Sequence, residues 1–283
     1  MKSLKLLLLT LLTLIPACSS TNKNDASLDK EFGVFLGMDE DHKNLEKLYK
    51  YKRVAIEIEE FDDKDIEKLN SHNVDIYAYI SVGSLEDYRD YYDDFKDYTF
   101  MDYDNWEHER WIDVSQKSWQ KHLLDTASTF KDLGAKGLFM DNFDVYYIVS
   151  EEYECTDAFK EGIYQGCKTI LSDFDNLELD LLINSGTTFL ERLASEKCGC
   201  INYIDWYAQE SVFSSIIDYD NDVFGTQNAT DHAYYLEMIE LMKHYSKVLM
   251  IEYTKDQQLI EKIQKYAKQE NVYYYISGKV NLE

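Results

Sequence analysis

Asp141 and Asp144 follow an apolar run, Gly137-Leu138-Phe139-Met140, in a stretch that continues to Tyr147. Carboxylates there are a poor way to finish a core segment and a common way to place acids at the mouth of a fold. Comparable groups end other apolar segments. Glu210 comes after Ile201–Tyr207, Glu252 and Tyr253 close Val248-Leu249-Met250-Ile251, Asn184 precedes Ser185-Gly186, and Tyr79 and Ser81 lie late in Asp75–Val82. Two facing carboxyl groups can divide a hydrolysis between them. One protonates a leaving oxygen while the other attacks carbon or activates water, which is what cleavage of a glycosidic bond requires. Asp141 and Glu210 are the candidate pair. Asp144 falls in a turn, where it would cap the next segment or meet a sugar hydroxyl, and Glu252 is the reserve acid.

Other chemistries find less support. The six histidines are scattered, and none sits with Ser or Cys in a hydrolase arrangement. No glycine-rich phosphate loop is present, and no His has regular spacing to the thiols, so neither a metal nor an organic cofactor is expected. The net charge of −25 repels nucleic acid and anionic glycans and concentrates cationic ligands.

The elements that must position these acids alternate. Strands are predicted at Phe32–Leu36, Arg53–Ile58, Asp75–Val82, Gly137–Asp141, Asp180–Asn184, Ile201–Tyr207, Lys247–Tyr253 and Val272–Ile276. Amphipathic helices are predicted at Asp63–Asn73, Ser115–Leu133 (Ser115 as the cap), Ala158–Phe174, Thr187–Glu196, Asp231–Tyr245 and Asp256–Gln269. Sequential strands joined by helices imply parallel pairing with right-handed crossovers. Eight of them predict an α/β fold, a single (β/α)8 TIM-type barrel, with a doubly wound open sheet as the alternative. Two long connections, Gly83–Trp111 and Glu210–Thr230, leave carboxyl ends of strands, where barrels keep their sites. Trp106, Trp111 and Trp206 are candidate stacking platforms for a sugar. The 24 tyrosines suit both strands and carbohydrate contacts.

The N-terminus reads as a targeting segment. Lys2 and Lys5 precede an apolar run from Leu6 to Ile15, too short to span a bilayer comfortably. Ile15-Pro16-Ala17-Cys18 resembles a bacterial lipobox. Residues 1–17 would then be a signal peptide, Cys18 the lipidated residue, 18–30 a polar tether and 31–283 the folded domain. The protein would sit on the outer side of the cytoplasmic membrane through its lipid anchor, or be secreted. Export permits disulfides. Cys155 and Cys167 could pair, whereas Cys198 and Cys200 are too close in sequence to pair easily.

Four blocks carry a resemblance: Ala78-Tyr79-Ile80-Ser81-Val82-Gly83, Gly137 to Asp144, Leu182-Ile183-Asn184-Ser185-Gly186, and Gln209-Glu210-Ser211-Val212-Phe213. In this order the chain resembles glycoside hydrolase family 114, secreted endo-α-1,4-polygalactosaminidases and their relatives, over about residues 32 to 280. The resemblance implies a retaining endo-glycosidase on a cationic polysaccharide, with Asp141 as nucleophile and Glu210 as acid/base. It implies that Tyr79, Asn184 and Tyr253 line the sugar pocket; Asp144, Trp206 and Glu252 complete the expected substrate-binding set. Many relatives carry an acid where this chain has Ser84, with Glu86 two residues on. The charge on Asp141 should raise the pKa of Glu210.

Overall fold

The computed structural model describes residues 28–38, 44–104 and 106–282. The signal peptide, Cys18 and most of the 18–30 tether lie outside the described residues. Among the described residues no helix is long and apolar enough to cross a membrane.

Eight parallel strands form one sheet in chain order: β1 (Phe32–Phe35), β2 (Arg53–Ile56), β3 (Asp75–Ser81), β4 (Gly137–Asp141), β5 (Asp180–Asn184), β6 (Trp206–Glu210), β7 (Lys247–Tyr253) and β8 (Tyr273–Ser277). The first and last strands pack edge to edge, with Phe35 and Tyr275 ring centroids 5.5 Å apart. This is the (β/α)8 barrel, not the open sheet. Its strands are buried along most of their length because helices cover the outside and side chains fill the inside.

The outer helices are α1 (Asp63–Ser71), α2 (Lys117–Leu133), α3 (Asp157–Asp175), α4 (Thr187–Ser195), α5 (Ala229–Met242) and α6 (Gln257–Glu270), and a short helix at Leu45–Leu48 serves between β1 and β2. Asp62, Thr156, Asn228 and Asp256 cap their helices through side-chain oxygens. Ser115 does not cap α2. Asp113 takes both its backbone N–H at 3.0 Å and its hydroxyl at 2.6 Å, and the helix starts two residues later.

The sixth strand departs most from its prediction. Residues Gly199–Tyr203 form a 3₁₀ turn, and β6 runs Trp206–Glu210. The alternation of Ile201, Tyr203 and Asp205 imitates a strand, but Cys198 and Cys200 are bonded to each other and hold that segment in a turn. Their Cα atoms are 5.3 Å apart, within normal disulfide reach, and Gly199 between them has open space around it. The expected Cys155–Cys167 pair is absent, and both thiols are free. Cys167 lies ten residues into α3, about 15 Å along the axis from its start, while Cys155 precedes the helix and donates to the Val149 carbonyl.

Both long connections fold over the mouth as strands. Ser84–Glu86, Thr99–Asp102 and Glu109–Ile112 make a three-stranded antiparallel sheet, and Ser214–Asp218 pairs with Val223–Thr226 as a hairpin.

Candidate active site

Four predicted site residues end their strands: Asp141 on β4, Asn184 on β5, Glu210 on β6 and Tyr253 on β7. Ser81 ends β3 and pairs in register with Asp141. The residue after each of the first three adopts the left-handed region, with φ of 66° at Asn142, 55° at Ser185 and 55° at Ser211. Each costs on the order of 1 kcal/mol in a non-glycine residue. The backbone N–H groups of these residues reach the strand tops: Ser185 donates to Ala208 O at 2.9 Å, Ser211 to Ile251 O at 2.8 Å, and Asn142 to Asp141 Oδ1 at 2.9 Å.

The side chains of these residues meet. Asn184 Nδ2 donates to Asp141 Oδ1 at 3.0 Å and to Glu210 Oε1 at 2.7 Å. Tyr253 donates its hydroxyl to Glu210 Oε2 at 2.6 Å. Asn184 is buried, and its Oδ1 has no hydrogen-bond partner. One amide thus ties both candidate carboxyls together.

A third acid joins them from the roof. Glu109 Oε1 accepts from Ser84 Oγ and, at 3.1 Å, from Asn142 Nδ2. Asn142 Oδ1 takes the Tyr103 hydroxyl at 3.0 Å. Burial holds the Asp141 carboxyl well above its ordinary range, and the charges of Glu210 and Glu109 add to it. Burial likewise lifts Glu109 to about 7, with Ser84 opposing and Glu86 adding to the rise. Asp144 is raised to about 6 by burial against the opposing Gly186 N–H. Beside Glu109, Arg89 binds both Glu57, at 2.8 Å, and Glu86.

The remaining predicted residues have other places. Tyr79 packs one layer below Asp141, its ring stacked on Phe139. Asp144 accepts from the Gly186 N–H at 3.1 Å and makes no side-chain cap on the short turn after it. Trp206 shares the inward face with Glu210 but starts the strand, about 13 Å deeper at strand spacing. It is fully buried against Phe32 and Tyr273, so it offers no stacking surface. Trp111 is buried under Tyr103, ring on ring at 4.3 Å, and only Trp106 of the three is exposed. Glu252 alternates to the outer face of β7. It is sealed from solvent and accepts from the backbone N–H groups of Phe213 and Ser214 and the Ser214 hydroxyl. It thus holds the segment that follows Glu210 and does not face a sugar. Sequence reading missed Glu109, Asn142 and the pairing of Arg89 with Glu57 and Glu86, although it noted Glu86 beside Ser84. Only position in the long connection after β3 hinted at Glu109.

A groove of about 840 Å³ lies in the roof; its lining includes Lys279 and Asp222 and none of the four strand-end residues. Tyr103, Trp106 and Tyr219 supply rings, Asp104, Glu107, Asp218 and Asp220 supply charge, and the Trp106 and Tyr219 rings meet edge to face at 6.0 Å. Among the described residues no cluster of side chains suits a metal ion.

A nearly closed (β/α)8 barrel with bridged carboxyls at the carboxyl ends of its strands has the form of a glycoside hydrolase. The chain belongs to glycoside-hydrolase family GH114, which matches residues 17–282. Comparison with curated protein sequences gave no match. Among solved structures it is similar to the glycoside hydrolase domain of PelA from Pseudomonas aeruginosa, at 18% identity, covering 89% of this chain and 96% of that one with a TM-score of 0.73. It is also similar to Aspergillus fumigatus Ega3 in complex with galactosamine, at 17% identity, 90% and 93% coverage and a TM-score of 0.66. An α-galactosidase from Thermus thermophilus follows at 11% identity, 88% and 57% coverage and a TM-score of 0.56. At these identities the likeness is one of fold.

Proposed function

We propose that the protein is an endo-acting hydrolase of α-1,4-linked galactosamine-containing polysaccharide, working by retention with Asp141 and Glu210. The observation that carries this is the single Asn184 nitrogen donating to both carboxyls. Both carboxyls meet at that nitrogen, 3.0 and 2.7 Å from their near oxygens, and close placing of the two groups is the arrangement of retaining enzymes. The near oxygens therefore suit direct attack better than an intervening water.

In this reading the polymer lies along the groove, with Trp106 as a stacking surface. Asp141 attacks the anomeric carbon, the glycosidic C–O bond breaks, and Glu210 gives its proton to the departing oxygen. Glu210 then takes a proton from water, whose oxygen displaces Asp141 and releases the sugar with retained configuration. No cofactor enters these steps. The family resemblance supports the linkage, and the acidic surface suits a cationic, partly deacetylated polymer. Cys18 would tether the enzyme to the outer face of the membrane.

A second reading exchanges the two roles. Glu210 receives two donors, including a phenol, whereas burial raises the pKa of Asp141. One experiment addresses both readings. The wild type should release oligosaccharides from partially deacetylated α-1,4-galactosamine polymer, and Asp141→Asn and Glu210→Gln should each lose at least about 10²-fold while remaining folded. With an aryl glycoside whose leaving group needs no proton, the acid variant should recover, and azide should trap its glycosyl-enzyme. Recovery in Glu210→Gln supports the first assignment, and recovery in Asp141→Asn the second. An inert wild type that still binds the polymer would identify a glycan-binding protein, and cleavage confined to another galactose-containing glycan would correct the substrate.

A further inference from the structure

Of the three left-handed residues behind the strand ends, Asn142 is used differently. Ser185 and Ser211 return their N–H groups to carbonyls of neighbouring strands, at 2.9 and 2.8 Å. Asn142 sets its N–H on the side chain of Asp141, 2.9 Å from Oδ1. A glycine would adopt its φ of 66° without steric cost, so the turn alone does not call for an amide.

The amide side chain binds the roof. Nδ2 lies 3.0 Å from Ser81 Oγ, 2.9 Å from Ser84 Oγ and 3.1 Å from Glu109 Oε1, and Oδ1 accepts the Tyr103 hydroxyl at 3.0 Å. Ser81 ends β3, and the other three partners belong to the excursion that follows it. Asn142 is buried, so these bonds are made away from water and cannot be broken without cost. A shift of the roof therefore moves the Asn142 side chain, and with it the N–H on Asp141.

Tyr103 carries the tie outward. It is half-buried, with its ring on Trp111 at 4.3 Å and its N–H on the Glu109 carbonyl at 3.0 Å, and it lines the roof groove beside Trp106. It is thus common to the groove and to the support of Asp141. At the inner end Asp141 Oδ1 also accepts from Asn184 Nδ2 at 3.0 Å, so two donors on one oxygen set how the carboxyl is turned. Loosening either changes the direction of attack, and small misplacements of a reacting group are costly in rate.

We propose that Asn142 is a positioning residue through which the roof groove acts on Asp141: polymer held against Tyr103 steadies the Tyr103–Asn142 tie, and that tie steadies the carboxyl. This rests on the glycosidase reading given above and adds to it how a long chain speeds the reaction at one unit. Binding energy gained in the groove appears in kcat and not only in KM.

Tyr103→Phe keeps the ring on Trp111 and removes only the hydroxyl. Amide hydrogen exchange, read by NMR on the full chain, should be at least about tenfold faster at Asn142 in this variant and unchanged at Ser185 and Ser211. An unmoved Asn142 amide, or an equal change at all three, overturns the proposal. Kinetics on partially deacetylated α-1,4-galactosamine chains of increasing length test the use of the tie. The wild-type kcat should rise with length. Asn142→Gly, which suits the left-handed turn, should lower kcat on the longest chains at least about tenfold beyond any loss on the shortest, with KM altered less than about threefold, and Tyr103→Phe should fall between. A flat wild-type kcat, a loss equal at every length, or one carried by KM overturns the proposal; if Asn142→Gly does not fold, Tyr103→Phe decides by the same criterion. If no chain is cut, the glycosidase reading fails separately, and exchange decides for Asn142. Added polymer should then slow the Asn142 amide in the wild type and not in Tyr103→Phe, and slowing in both or in neither overturns the tie.

Discussion

Tyr253 and Glu210 end neighbouring parallel strands, and the phenol of the first donates to the carboxylate of the second at 2.6 Å. A hydroxyl held in that place supports the ionised acid and fixes its rotamer. Tyr253→Phe removes one oxygen and leaves the ring in its buried slot. It should lower kcat about tenfold, near 1.4 kcal/mol, and move the basic limb of the pH–rate profile upward, since Glu210 is the proton donor and its ionised form loses a hydrogen bond. A profile of kcat/KM against pH checks this, and an unmoved limb would limit Tyr253 to packing.

Gly83 belongs to the support of Asp141. A Cβ there would stand 1.9 Å from the Asn142 carbonyl oxygen, and backbone on backbone cannot give way cheaply. Gly83→Ala should therefore destabilise by about 1–3 kcal/mol and reduce activity by more than the loss of folded protein explains. A melt and an active-site titration on the same sample separate those effects.

Glu252 predicts a different defect. Its oxygens face backbone N–H groups, so Glu252→Gln turns an amide NH₂ toward donors and leaves a buried group unsatisfied, at a cost of about 1–3 kcal/mol. Activity should fall because the segment after Glu210 loosens, with kcat more affected than KM. Chemical denaturation together with steady-state kinetics would show both.

Stability should fall as the solution becomes alkaline. Burial raises Glu57, Glu109 and Glu252 to about 7, above the about 4.3 of an unfolded glutamate. Between those values the folded chain keeps protons that the unfolded chain has lost, so unfolding is favoured by each step up in pH. The melting temperature should be higher near pH 5 than near pH 8. Added salt should recover part of the loss at pH 8 by screening the acidic surface. A flat profile from pH 5 to 8 would show that these groups are ionised when folded.

Much of this was legible in the residues. Three apolar runs ending in Asp141, Asn184 and Tyr253 are legible because a parallel strand buried on both faces leaves a continuous hydrophobic signature. The sixth strand was displaced because Ile201 and Tyr203 alternate as a strand would, and nothing local announces the bond between Cys198 and Cys200. Glu252 could have been set aside by counting in twos from Tyr253, which faces inward. Trp206 could have been set aside in the same way once its strand was in register, because depth along a strand follows from residue number. Glu109 could not be found by such counting. Its position depends on an antiparallel excursion folding back over β3, a long-range pairing with no periodic trace.

The three left-handed residues after Asp141, Asn184 and Glu210 have a consequence for how such a protein can change. Two return their N–H groups to strand carbonyls and the third to Asp141 itself, so the reacting groups are braced from the barrel below. The Ser214–Asp218 and Val223–Thr226 hairpin rises above that brace and is tied to it at its base, where Ser214 donates to Glu252 and accepts from the Tyr253 N–H. Lengthening, shortening or recharging the hairpin would alter which polymer is admitted while the cutting machinery keeps its shape. Inheritance can treat the two as separate modules, and a lineage could move between glycans by editing its roof.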